Sequence, residues 1–514
     1  MGVMKPRPGM RPATTNGWDV VSAVKIGVVN EAIANAGTSP KSFSQEVGPQ
    51  MWAEGSFGDW TIGEGGDGHL LNLVIPIRDV AIHRGTAVET LPEALVKVRV
   101  RLALMPTGAP PRESSAGIER EFMLVLRTDI GPELAELAEL EAVPSKVATV
   151  IQMDGDEELG IMSQALLTTA LDTWLNTNLH QFHHVFATVN VAEVSRVGSS
   201  GALDWLQLTS VSYAFGHNSS DPEEGVLAIL GQTEGRSMDG LINQAQAEMI
   251  PERMDAGMCI SRSRFLRNML LPGIPAAFKG LKLSDVKIKA RDAGLYLKKD
   301  VKLDKMEHEG ETYEPILELF DLDLRETDVI MKSHTATEVS PGLFSLAHAT
   351  STYAYGMDWN SKGEKTMKFE EVGKPKLVRN TRQTPGRVWT NVGLAVAGAI
   401  AGVAAVFTGG TSLIVASMLF AALGVGITAS NIIEGDDGPS IDLLMTNATN
   451  SVTWSTGAKF DPQFMALNGG LQIGGDFLES RAVPESGIGL SERAAYQKAF
   501  QERFARVMSE RAPQ

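Results

Sequence analysis

Between Val388 and Ile433 the chain runs for 46 residues without a charged side chain. Thr408-Gly409-Gly410 divides the run into Val388–Phe407, of 20 residues, and Thr411–Ile433, of 23. Each half is long enough, as a helix, to cross a hydrocarbon core of roughly 30 Å. The eight Val, Leu, Ile and Phe residues of the first half favour insertion by at most roughly −2 to −5 kcal/mol. Asn391 and several glycines offset part of that, so insertion is marginal. Gly398 and Gly402 form G-x-x-x-G, which lets two helices approach closely in lipid and equally inside a soluble core. Turn-forming clusters flank the run, at 382–387 and 434–439. The pattern predicts an apolar helical hairpin, 388–438, inserted into a β-rich scaffold.

The rest of the chain bounds the function class. Its 514 residues suffice for two or three domains. A formal net charge of −16 argues against nucleic-acid binding, which needs a basic face for the phosphates. Cys259 is the sole cysteine, so no intrachain disulfide forms, as in a reducing compartment. Residues 1–16 carry no apolar signal-peptide core. The expectation is cytoplasmic synthesis, with any release by a route other than a conventional signal peptide.

Periodicity supplies the elements. Val21, Val24, Val28 and Ala32 have helical spacing in a stretch with few charges, which predicts an apolar helix over Trp18–Ala36. A second helix is expected over Glu158–Gln181, with Leu167, Leu171 and Trp174 on its apolar side, and a third over Ser261–Phe278. Period-2 alternation marks strands at Leu70–Ile77, Val96–Leu104, Phe122–Arg127, Lys146–Met153, His184–Val194 and Trp205–Phe215. A strand meander follows from Leu281 to Phe369. Two more strands are expected at Ser451–Phe460 and Phe464–Ile473, then a charged C-terminal helix.

Motifs of catalysis are weak throughout. Gly63-Glu64-Gly65-Gly66-Asp67-Gly68 fits G-x-G-x-x-G, but a strand pattern follows it where a dinucleotide site needs a helix, so a hairpin turn is the better reading. Asp154-Gly155-Asp156 opens like a calcium loop, yet Leu159 and Ala165 stand where Gly and Glu are required. Those acids read as the favourable negative start of the second helix. His180, His183 and His184 make too small a ligand set for a specific metal site without further donors. Cys259, between Met258 and Ile260, reads as a buried inert thiol. No cofactor and no enzymatic activity are expected.

Two basic runs remain, one from Lys279 to Lys305 and one comprising Lys374, Lys376, Arg379, Arg382 and Arg387. The first fits a solvated strand face. The second adjoins the uncharged run, and contact with anionic headgroups is as good a reading as solvation.

Several segments carry a resemblance in their order along the chain. They are Asn16-Gly17-Trp18-Asp19, Gly58-Asp59-Trp60-Thr61-Ile62 and Phe182-His183-His184-Val185-Phe186-Ala187, then Trp205-Leu206 with Tyr213-Ala214-Phe215. The last is Ser261-Arg262-Ser263-Arg264-Phe265-Leu266-Arg267-Asn268-Met269-Leu270-Leu271-Pro272. Over roughly residues 16 to 475 the chain resembles the forty-seven-kilodalton and OrfX proteins of clostridial botulinum-neurotoxin gene clusters. That family is similar to the tubular lipid-binding (TULIP) superfamily. The resemblance implies an α+β, TULIP-like fold, with long curved antiparallel sheets wrapped around long apolar helices.

The expected division is a disordered arm at 1–16, a first lobe at 17–280 and a second, β-rich lobe from 281–387 plus 439–480. The hairpin insert spans 388–438 and a charged tail 481–514. The expected function is non-enzymatic binding of a lipid or other apolar ligand, accessory to a toxin system. Val21, Val24, Val28, Leu167, Leu171 and Trp174 are the candidate lipid contacts. Lys374, Lys376, Arg379, Arg382, Gly398 and Gly402 are the candidates for the headgroup and membrane side. The partners implied are a lipid, a toxin or accessory protein, or an anionic membrane. The alternatives are a structural subunit of a toxin assembly without its own ligand, and an effector that inserts its 388–433 hairpin.

Overall fold

The computed structural model describes residues 11–114, 117–128, 146–193, 203–218, 221–308, 311–359, 365–373, 376–385, 451–457 and 459–478. The arm before residue 11, Lys374, the uncharged run with Gly398 and Gly402, and the tail after residue 478 lie outside them.

Antiparallel pairing dominates. A seven-stranded sheet runs in the order Lys459–Asn468, Gly470–Leu478, Ala256–Ile260, Val20–Lys25, Val226–Thr233, Leu208–Gly216 and Asp67–Gly68. A ten-stranded sheet is built on the ladder Ser42–Gly48, Met51–Phe57, Leu70–Arg84, Ala87–Pro106, Gly117–Leu126, Val185–Ala192 and Val452–Trp454. An eight-stranded sheet follows Val286–Ile288, Gly294–Leu297, Pro315–Leu324, Val329–Ser340, Leu343–Trp359 and Lys365–Glu371, with Lys376–Gln383 also paired to Leu343–Trp359. The described chain is mostly β-sheet with few helices. Long sheets wrapped around several long helices are not what it displays.

The first predicted helix is corrected. Val20–Lys25 is a strand, and only Ile26–Ala36 is helical. The strand lies between Val226–Thr233 and Ala256–Ile260. A central strand is buried on both faces, so its residues are apolar without alternation, and a short run of that kind mimics a helix stripe. β-branched Val20, Val21 and Val24 favour the extended form. The burial expected of Val21 and Val24 holds, but on opposite faces: Val24 joins the main core and Val21 a second cluster with Trp18, Leu230 and Cys259.

The second helix forms over Ile161–Asn178, with a short 3₁₀ turn at Leu179–Gln181. It packs on Ser42–Gly48, Met51–Phe57 and Ala148–Asp154. Asn176 pins it to the last of these: its Oδ1 accepts from Val147 N–H at 2.9 Å and its Nδ2 donates to Ala148 O at 2.8 Å. Asp156, Glu157 and Glu158 sit in the turn before the helix, which has no acid in its first turn, so the predicted acidic helix start is also corrected. The third predicted helix is broken into a short α segment, a π turn at Phe265–Leu270, a 3₁₀ turn and Ile274–Ala277. Pro272 and Pro275 remove backbone donors there. The expected turn covers only Gly63–Gly66, because Asp67–Gly68 is itself a short strand paired with Phe215–Gly216.

Residues 452–478 pair differently from the expected lobe division. Val452–Trp454 bonds to Val185–Ala192, and Gly470–Leu478 to Ala256–Ile260. Both ladders join strands of the first lobe. The hairpin of Lys459–Asn468 and Gly470–Leu478 turns at Gly469, whose φ of +82° suits glycine, and a Cβ there would lie 2.7 Å from the Ala13 carbonyl oxygen.

A carboxylate is buried at the start of Val20–Lys25, the central strand of the seven-stranded sheet. Asp19 is 1% exposed. It accepts from Arg264 Nη2 at 3.0 Å, Arg236 Nη1 at 2.5 Å, and the Thr233 N–H and hydroxyl, both at 3.0 Å. Arg264, itself 4% exposed, also meets Glu234. Asp19→Ala should lower stability by about 3–5 kcal/mol, because it strands a buried guanidinium. Urea unfolding measures this, and a loss under about 1 kcal/mol would mean that Glu234 and water suffice for Arg264.

Candidate functional site

The six candidate lipid contacts fall into the packed interior. Leu167, Leu171, Trp174 and Val24 belong to the main core, Val28 packs half-buried against it, and Val21 is in the second cluster. Val21 and Val24 point to opposite sides of one strand, so the six do not line one continuous surface.

Trp174 leads into an aromatic hub. Its ring lies 4.9 Å from that of Phe57, which meets Trp60 edge-on at 5.5 Å. Trp60 stacks on Phe182 at 5.1 Å and 14°. The stack joins the loop before Thr61–Ile62 to the segment that leaves the second helix. Such pairs contribute about 0.5–1.5 kcal/mol beyond their buried area. Trp60 and Phe182 lie in separate segments, and nothing in the sequence pattern signals that they touch.

His184 closes the hub. It is buried, with Nδ1 3.2 Å from Thr38 Oγ1 and Nε2 3.2 Å from Ser455 Oγ. Burial first, and then the charge of neighbouring His183, push its pKa down to about 4. His180 is exposed, and His183 places Nδ1 3.0 Å from Gln181 O. Among the described residues no three His, Cys, Asp or Glu side chains group as a metal site. Cys259 is buried, and burial pushes its thiol up to about 12, which leaves it protonated and unreactive at neutral pH. Tyr213, from another of the quoted segments, is raised to about 12 by burial. Its hydroxyl accepts from Leu102 N–H at 2.9 Å and lies 3.0 Å from His69 O. These are ties between sheets.

The headgroup candidates within the described residues have a different setting. Lys376, Arg379 and Arg382 lie on Lys376–Gln383, every residue of which is exposed. The strand pairs with Leu343–Thr350 along one edge. Among the described residues no strand pairs with its other edge. Leu377 and Val378 are exposed beside the cations, at 37% and 52%. Arg382 donates to Glu318 at 2.6 Å and lies 5.2 Å over the Phe344 ring. Four residues separate Gln383 from the uncharged run at Val388. In the first basic run, Lys289 meets Asp321 and Asp323 and Lys302 meets Glu314, which fits the solvated face expected there. Among the described residues no helix is long and apolar enough to cross a membrane.

The His184 geometry fixes a pH response. Its folded pKa of about 4 lies below the ordinary 6.5, so the unfolded chain takes the proton first. The His184 contribution to stability is complete above pH 6.5 and falls as pH drops toward 4. In urea titrations between pH 7 and 5, His184→Gln should flatten the dependence of stability on pH by up to about one proton. An unchanged slope would assign the acid sensitivity to other groups.

Comparison with known proteins places the chain. Residues 15–475 match the model of a family described as OrfX-like: Protein OrfX2/OrfX3/P47. Protein OrfX3 of Paraclostridium bifermentans is 27% identical over 492 residues, covering 91% of this chain and 99% of that protein. Protein OrfX3 of Clostridium botulinum (strain Kyoto / Type A2) is 28% identical over 496 residues, covering 90% and 98%. Two solved structures share the fold. P47 from Clostridium botulinum A2 has a TM-score of 0.64 at 16% identity, over 90% of this chain and 98% of that one. P47 of Clostridium botulinum E1 has a TM-score of 0.59 at 17% identity, over 90% and 99%.

Proposed function

Since this chain belongs to the OrfX-like family, we propose that it is a non-enzymatic accessory protein of a toxin system that engages anionic lipid surfaces. One observation carries the reading. Lys376, Arg379 and Arg382 stand with Leu377 and Val378 on a fully exposed strand, a few residues before 46 uncharged ones. Cations near a surface draw the protein to anionic headgroups, and adjacent apolar side chains enter the interface between headgroups and acyl chains.

The packing of Leu167, Leu171, Trp174 and Val24 in the main core weighs against those residues as the lipid contact. An apolar ligand there would have to displace close-packed core. The same packing favours a second reading, a structural subunit of a toxin assembly without its own ligand. Native mass spectrometry with lipid extraction from the purified protein separates the two, since only the first predicts bound lipid or vesicle affinity.

The triple variant Lys376→Gln, Arg379→Gln, Arg382→Gln should weaken sedimentation with phosphatidylserine-containing vesicles by about fivefold per charge removed. The loss should shrink as salt rises, because the attraction is screened within about 10 Å at 0.1 M. Equal binding of variant and parent at low salt would eliminate the strand as the lipid contact.

A further inference from the structure

The hairpin of Val329–Ser340 and Leu343–Trp359 sets His334 directly opposite His348. Their ring centroids are 4.1 Å apart, with planes at 78°. Both rings are half-buried on the outward face of the sheet. One strand further along the ladder, Val378 stands opposite His348. The pair therefore borders the basic strand. Lys376 and Arg382 fall on the same side of that strand as Val378, because side chains alternate with period 2.

Two imidazoliums in directly opposed cross-strand positions repel each other. Burial, and then the charge of His348, hold His334 below the ordinary imidazole range, and Glu318 pulls in the other direction. His334 therefore gives up its charge more readily than an ordinary imidazole, and at this ring separation a proton on one ring is felt by the other.

The charged groups around it are these. Pro315–Leu324 contributes Glu318 and Asp321, the histidines' own strands Lys332 and Glu338, and the edge strand Lys376 and Arg382. The acids are already engaged. Glu318 is held by Arg382 at 2.6 Å and Asp321 by Lys289 at 2.8 Å. Glu338 accepts the Gly342 N–H at 2.7 Å. A proton arriving on the pair therefore adds positive charge to this face.

We propose that His334 and His348 form an acid-responsive element that strengthens the contact of the neighbouring basic strand with anionic membranes. The inference rests on the lipid-surface reading given above. Each step is a simple protonation of a ring nitrogen and needs no co-reactant. Because the first proton discourages the second, the expected gain between pH 7.5 and 5.5 is about one charge, or about fivefold in affinity. Ordinary Asp and Glu pKa values of about 3.9 and 4.3 lie below that window.

The test uses the full chain and vesicles of phosphatidylcholine with phosphatidylserine, at fixed salt. The parent should bind about fivefold more tightly at pH 5.5 than at pH 7.5. The double variant His334→Gln, His348→Gln should bind as the parent does at pH 7.5 and lose most of the gain at pH 5.5. His348→Gln, which removes the like charge beside His334, should keep a gain and shift it to higher pH. Near-ultraviolet circular dichroism identifies misfolded variants, and proton NMR titration of the two rings reads the coupling without vesicles. A full gain in the folded double variant, or independent titration of the two rings, would overturn the inference alone. Absence of binding by the parent at both pH values would overturn the lipid reading and this inference with it.

Discussion

The ion pair between Asp19 and Arg264 is the constraint on which the central sheet depends. Both side chains are almost entirely out of water. A buried pair of this kind adds little net stability against a well-packed apolar substitute, but losing one partner is costly. Its geometry therefore dictates registration. Asp19 also takes the N–H of Thr233, and its own carbonyl accepts from Ser261 N–H at 2.8 Å. Segments more than 200 residues apart in sequence must arrive in one arrangement for that carboxylate to be satisfied. The Ser261 hydroxyl caps the turn that carries Arg264, accepting Arg264 N–H at 3.3 Å, so the arginine and the backbone that presents it are fixed together.

The segments that carried the family resemblance owe their form to such meetings. Asn16-Gly17-Trp18-Asp19 and Ser261–Pro272 meet through the ion pair. Gly58–Ile62 and Phe182–Ala187 meet where Trp60 stacks on Phe182. Tyr213 reaches the backbone at Leu102. Each conspicuous residue is one half of a tie between distant strands, and none of the three ties supplies a nucleophile or a metal ligand.

Legibility in the sequence followed the physics of each element. Alternating strands such as Val96–Leu104 were readable because one face is wet and the other dry. The Ile161–Asn178 helix was readable because its apolar positions recur over several turns. Val20–Lys25 was misread because a strand buried on both faces loses the alternation that identifies strands. The destination of residues 459–478 was hidden, since periodicity reports which face is buried and not which neighbour buries it. Of the candidate site, the cations of Lys376–Gln383 were visible as a run without acids. Their exposure on an open edge, and the pairing of His334 with His348 from strands with a turn between them, needed the register.

The position of that late hairpin has a bearing on how the protein is made. Val20–Lys25 sits inside its sheet, yet its neighbours come from residues 226–233 and 256–260, and the sheet ends with strands from residues 459–478. A ribosome therefore releases the first strand long before anything exists for it to pair with. Non-local pairing of this kind folds slowly and leaves apolar strand edges uncovered in the meantime. A chain interrupted before residue 459 would carry Ala256–Ile260 with one edge bare. For such a nascent protein, the interval between synthesis of the first strand and arrival of the last is when a chaperone has most to protect.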